Sequence, residues 1–164
     1  MKLYLVQHGE SLEKEINPER PLSPKGTEDI KILAEFLSIR IPVVSTIFHS
    51  GKLRAKQTAE LMALKITNKN GVQKLLGIEP TDFIAPIAYE IESWDEDTIV
   101  AGHLPFMAKL VSKLTTGDEA VSTVAYEPGS IVCLEKVTEK KWLILWMLRP
   151  TLLDSRLNRR INGV

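Results

Sequence analysis

His8, Ser50, Arg54 and His103, with Arg20 in a nearby loop, are the side chains whose types and settings could handle a small anionic group. His8 closes the apolar run Tyr4-Leu5-Val6-Gln7 and is followed by Gly9, so an anion could reach its ring. A neutral imidazole attacks phosphorus well when its second nitrogen keeps a proton on a backbone carbonyl, which fixes the tautomer. On this reading Gly9 leaves room for in-line approach. The oxygens of a transferring phosphoryl group need positive or N–H-rich surroundings. Arg54, Arg20 and, if protonated, His103 are the candidates, joined by backbone donors at helix starts near Lys52 and Leu104. Taken singly, a strand-end histidine reads as a satisfied structural residue and each arginine as a solvated surface group. Their joint occurrence shifts the odds.

The elements that must position these groups follow from the hydrophobic pattern. Leu3 to Val6 reads as a strand covered on both faces. A polar loop from Glu10 to Pro21 ends at Ser23-Pro24, a helix cap followed by proline at the first helical position. Ile30, Leu33, Ala34 and Leu37 then share one helical face. Val43 to Phe48 reads as a second strand, stopping at His49-Ser50-Gly51, and a helix runs from about Lys52 to Leu64. Arg54 sits in its first turn, where the helix dipole prefers an acid, so it is poorly placed for helix stability and better placed for an anion. Val72 to Ile78 is a short strand or an extended connection, and Thr81 or Asp82 can cap a helix carrying Ile84, Ile87 and Ile91. Asp97 to Ala101 is a third strand ending on Gly102-His103, followed by a helix with Met107, Leu110, Val111 and Leu114 in register. Ser130 to Val137 and Lys141 to Leu148 form a hairpin.

This order predicts an α/β fold, a three-layer α/β/α sandwich on a mostly parallel sheet with an antiparallel strand. Ligands in such sheets lie beyond the carboxyl ends of the strands, where His8, Ser50 and His103 all fall. With 164 residues, 44% of them hydrophobic, the chain is expected to form a single domain over 1–164, with 150–164 a basic extension holding Arg156, Arg159 and Arg160. Lys plus Arg equals Asp plus Glu at 21 each, so the charge points to neither nucleic acid nor a membrane surface. The single cysteine, Cys133, lies in a strand and reads as a buried inert thiol of a reducing compartment, and with no long apolar run the expected location is cytoplasmic.

Four segments, Gln7-His8-Gly9-Glu10, Arg20-Pro21-Leu22-Ser23, Ser50-Gly51-Lys52-Leu53-Arg54-Ala55-Lys56-Gln57-Thr58 and Gly102-His103-Leu104-Pro105, resemble in type and order the motifs of the histidine phosphatase superfamily. The likeness is to its small SixA-like phosphohistidine phosphatases, runs from residue 1 to about residue 150, and takes in Arg149-Pro150 after a Trp-containing strand. The resemblance implies a phosphoglycerate mutase-like fold and a phosphatase that works without metal or organic cofactor through a phosphohistidine intermediate. The expected substrate is phosphohistidine of a protein, or else a small phosphorylated compound, with inorganic phosphate released.

Residue by residue, the resemblance makes His8 the nucleophile, Arg54 a phosphate clamp and His103 a second pocket histidine that donates to the transferring group. Gln7, Gly9, Arg20, Ser50 and Leu104 would line the phosphate site. One position departs from the pattern: the superfamily's Arg-His-Gly reads Gln7-His8-Gly9 here, which keeps an amide donor but loses the charge and the two-pronged guanidinium. The departure keeps a second reading open, a phosphate- or phosphoprotein-binding module without turnover. In phosphoester-cleaving relatives a carboxylic acid protonates the leaving alcohol. Glu79 is the nearest candidate here, and a solvated surface role is its alternative.

Overall fold

A computed structural model of the chain describes residues 1–41 and 43–153. The arginine-bearing part of the expected C-terminal extension, 154–164, lies outside the described residues. Six strands form one sheet: β1 (Lys2–Gln7), β2 (Ile47–His49), β3 (Val72–Lys74), β4 (Thr98–Gly102), β5 (Ile131–Thr138) and β6 (Lys141–Leu148). Their spatial order is β3-β2-β4-β1-β5-β6. β1, β2, β3 and β4 pair in parallel, whereas β5 pairs antiparallel with both β1 and β6. β5 is therefore the one member running against the others.

Among the described residues four α-helices cover the sheet: α1 (Pro24–Ser38), α2 (Leu53–Ala63), α3 (Ile84–Ile91) and α4 (Phe106–Thr116). Side chains alternate along β1, so Leu3 and Leu5 join one core with α3 and α4, and Tyr4 and Val6 join the other with α1 and α2. That is the expected three-layer α/β/α arrangement. Among the described residues no helix is long and apolar enough to cross a membrane. Cys133 is buried between β1 and β6 with its thiol pKa pushed up to about 12, chiefly by burial.

Several boundaries differ from the sequence reading, each for a local reason. The second strand is shorter than Val43–Phe48, because the backbone of Val44 and Ser45 bonds instead to Thr67, Lys69, Asn70 and Asp97. The stretch from Val72 keeps only three residues of strand before Gly77 turns at φ 77°. Neither Thr81 nor Asp82 caps α3. Phe83 stands at that position, while the Asp82 carboxylate accepts the Glu79 N–H at 2.8 Å and closes the preceding turn. By contrast Ser23 caps α1 as its sequence indicates, accepting the Gly26 N–H at 3.0 Å.

Candidate active site

The register of the two central strands brings the histidines together. Gln7 pairs with Gly102, and the His8 N–H continues the ladder to the Gly102 carbonyl at 2.9 Å. The next side chain on each strand end is an imidazole, and the rings of His8 and His103 stand 4.9 Å apart at 59°. β2, on the far side of β4, delivers Ser50, whose Oγ lies 2.6 Å from His103 Nε2. α2 then starts beside the same edge and carries Arg54.

The hydrogen bonds of His8 define its tautomer. Its Nδ1 lies 2.7 Å from the Gly9 carbonyl oxygen, which can only accept, and the Arg54 Nε–H, which can only donate, lies 3.1 Å from Nε2. The proton is thus on Nδ1 and the lone pair on Nε2. Burial lowers the His8 pKa to about 4, against the raising effect of the Gly9 bond, and Arg54 and Arg20 lower it further. His103 is brought to about 3, first by burial and then by His8, Arg54, Lys52 and Arg20. Both rings are therefore neutral at pH 7, and His103 donates through one nitrogen only rather than as a cation.

The cations are placed by the chain around them. Arg20 has a left-handed backbone, φ 51°, unusual for a side chain with a Cβ. Its guanidinium donates to the Leu12 carbonyl and the Ser11 hydroxyl, both at 3.2 Å, and its charge reaches Arg54 and both histidines. Burial and Arg20 lower the Arg54 pKa. Gln57 and Thr58, on the turn after Arg54, fasten the loops: Gln57 accepts the Leu22 N–H at 2.8 Å, and Thr58 Oγ1 accepts the Gly9 N–H at 3.2 Å while donating to the Arg54 carbonyl at 2.8 Å. Thr58 was not a sequence candidate. Its place four residues after Arg54, on the same helix face, is the signal that could have found it.

Some candidates are placed otherwise than their sequence reading. The Gly9 N–H is engaged by Thr58, and a Cβ there would lie 2.9 Å from both the Gly26 carbonyl oxygen and Ile30 Cγ1. The room Gly9 makes is thus on the α1 side. Ser50 meets His103. Leu104 is partly exposed in the turn between β4 and α4. Glu79 pairs with Lys52 at 3.0 Å, with its side chain 52% exposed. Gln7 is only 8% exposed, and its Oε1 and His103 Nδ1 are buried without a hydrogen-bond partner among the described residues.

No family model matches the chain. It is 22% identical over 123 residues to the phosphohistidine phosphatase SixA of Escherichia coli K12, covering 72% of this chain and 76% of that one. The structure of the protein histidine phosphatase SixA complexed with tungstate superposes at TM-score 0.83 and 18% identity, covering 94% of this chain and all of that one. The chain has the fold of these phosphatases and is similar in sequence to one of them. Its likeness is to the SixA-like branch of the histidine phosphatase superfamily. A phosphoserine phosphatase of Entamoeba histolytica in complex with phosphoserine shares the fold at TM-score 0.68 and 13% identity, over 89% of this chain and 95% of that one. The phosphoglycerate mutase-like fold thus carries here a paired-histidine edge with glutamine beside the first histidine.

Proposed function

We propose that the protein is a phosphatase that carries the phosphoryl group on His8 Nε2 and releases it from phosphohistidine of a protein. The observation that carries this reading is the fixed tautomer of His8, with the lone pair of Nε2 facing the Arg54 guanidinium. The likeness to SixA supports the same class of substrate.

In the first step the Nε2 lone pair forms a bond to phosphorus as the bond from phosphorus to the substrate nitrogen breaks. The departing imidazole keeps that electron pair and leaves neutral, having carried a proton on its other nitrogen beforehand. Charge that develops on His8 is shared through Nδ1–H with the Gly9 carbonyl. Arg54 leaves Nε2 and takes the phosphoryl oxygens, a place where guanidinium geometry serves well. In the second step water attacks phosphorus, the bond to Nε2 breaks, and inorganic phosphate leaves with the proton balance met by solvent. Positive charge comes from Arg54 and Arg20, so this mechanism calls for no metal.

A brief exposure to a labelled small phosphoryl donor tests the reading. Acid-labile, base-stable label on His8, absent in His8→Ala, is the expected result. Label on another residue, or none even in a Gln7→Arg variant, overturns it.

Gln7 Oε1, without a partner among the described residues, favours a second reading, a module that binds phosphate without turning it over. An amide carbonyl does not neutralise a phosphoryl group as an arginine does. Saturable vanadate binding with turnover at background would identify that case. Action on small phosphoesters would need Glu79 as a proton donor, and its ion pair with Lys52 draws the carboxylate towards an ammonium group instead.

A further inference from the structure

Ser50 is 3% exposed, and among the described residues its hydroxyl has two neighbours. The Lys52 backbone N–H, at 3.4 Å, can only donate to it, and His103 Nε2, at 2.6 Å, can either donate or accept. If Nε2 carried the proton, Ser50 Oγ would accept twice and its own hydroxyl proton would be left without an acceptor in a buried place. If Nε2 is bare, the hydroxyl donates to it and each group is used. The proton of the neutral ring is then on Nδ1, a buried donor that has no partner among the described residues. An unpaired buried donor is costly, and a phosphoryl oxygen is an acceptor that would satisfy it. The opposite tautomer would present a lone pair to the same oxygen and repel it.

We infer that Ser50 is a positioning residue that holds His103 as its Nδ1–H tautomer, so that Nδ1–H is the hydrogen-bond donor to the phosphoryl group. Ser50 then acts through His103 and does not itself touch phosphate. The phosphoryl part of this inference rests on the phosphatase reading above, whereas the tautomer does not.

The test reads the tautomer first. Nitrogen-15 correlation spectra of the ligand-free full chain are expected to show His103 Nδ1 protonated and Nε2 bare. In Ser50→Ala the proton is expected to redistribute to Nε2, with vanadate bound about tenfold more weakly, the loss of roughly one hydrogen bond to a charged group. Ser50→Thr, which keeps the hydroxyl, should restore both. Ser50→Cys, a weaker donor, should fall between, and with the wild-type tautomer it decides the matter should Ser50→Ala fail to fold. A wild-type ring protonated on Nε2, or a Ser50→Ala protein with unchanged tautomer and vanadate affinity, overturns the inference. A wild type with the expected tautomer that neither binds vanadate nor takes label overturns the phosphatase reading while supporting the role of Ser50 in setting the tautomer.

Discussion

Arg54 Nε donates to His8 Nε2 at 3.1 Å, so the residue that would clamp a phosphoryl group rests on the atom that would attack it. The contact keeps the lone pair oriented and adds to the burial that keeps the ring neutral. Replacing Arg54 with Met should raise the His8 pKa from about 4 towards its ordinary 6.5, because a positive neighbour is lost. Arg54→Lys should keep that pKa low yet slow phosphoenzyme formation by about 10²-fold or more, since an ammonium cannot replace the planar fork. A proton NMR titration of His8 and a quenched labelling time course check the two halves.

Gln7 separates stability from function. Among the described residues its buried Oε1 has no partner, so Gln7→Met removes an unsatisfied acceptor at similar volume and should stabilise the fold by about 1 kcal/mol. Gln7→Arg should instead strengthen vanadate binding and speed labelling of His8, by about 10²-fold if the guanidinium reaches the oxyanion. Urea unfolding midpoints and vanadate titrations on the two variants give the comparison.

His8, Ser50 and His103 are readable in the sequence because each ends an apolar run and parallel sheets collect such ends at one edge. Their pairing is not. The Gln7–Gly102 register that sets His8 against His103 depends on a contact between residues 95 positions apart, which no local pattern carries. Thr58 and Gly9 are obscure for a similar reason, since Gly9 answers to α1 and Thr58 to the His8 loop, segments distant in sequence. The α3 cap is misread because Asp82 has an alternative use in the turn before it.

The close approach of that loop to α1 gives a stability prediction. A Cβ on Gly26 would lie 2.1 Å from the Glu10 carbonyl oxygen and 2.7 Å from its nitrogen, both rigid backbone atoms. Gly26→Ala should therefore cost more than the gain of about 1 kcal/mol that alanine usually brings to a helix, for a net loss of roughly 1–3 kcal/mol. The displaced Glu10 segment should also carry His8 out of line with Arg54. A lower unfolding midpoint together with slowed labelling is expected, whereas an unchanged midpoint would mean that the loop does not seat on α1 as described.

The two site histidines make stability depend on pH with a definite sign. Folded His8 and His103 titrate near 4 and 3, against 6.5 when free, so the unfolded chain binds more protons between these values. Their stabilising effect is complete above about pH 6.5 and is lost as pH falls towards the folded values. His49, also lowered chiefly by burial, adds in the same sense. Glu92 and Glu127 lie below the usual 4.5, so they enter only at the acid end. The Tm should fall from pH 6.5 to about 5.5, above the range where unfolded carboxylates take up protons, and His103→Gln should flatten that slope while leaving part of it to His8 and His49.

The leaving group distinguishes the proposed phosphoramidate chemistry from ester hydrolysis. A phosphohistidine leaves as neutral imidazole after prior protonation, so it needs no acid from the protein. An alkyl phosphate leaves as an alkoxide unless a carboxylic acid is positioned to protonate it. Glu79 is half exposed and held by Lys52, whose charge reaches His103. Glu79→Gln should therefore change hydrolysis of a phosphohistidine substrate by less than about threefold, within the range expected for losing an exposed ion pair. Phosphoserine should be turned over far more slowly than phosphohistidine by the wild type. Initial rates on the two substrates, for wild type and variant, check this directly: rapid phosphoserine hydrolysis abolished by Glu79→Gln would reassign the chain to phosphoester chemistry with Glu79 as its acid.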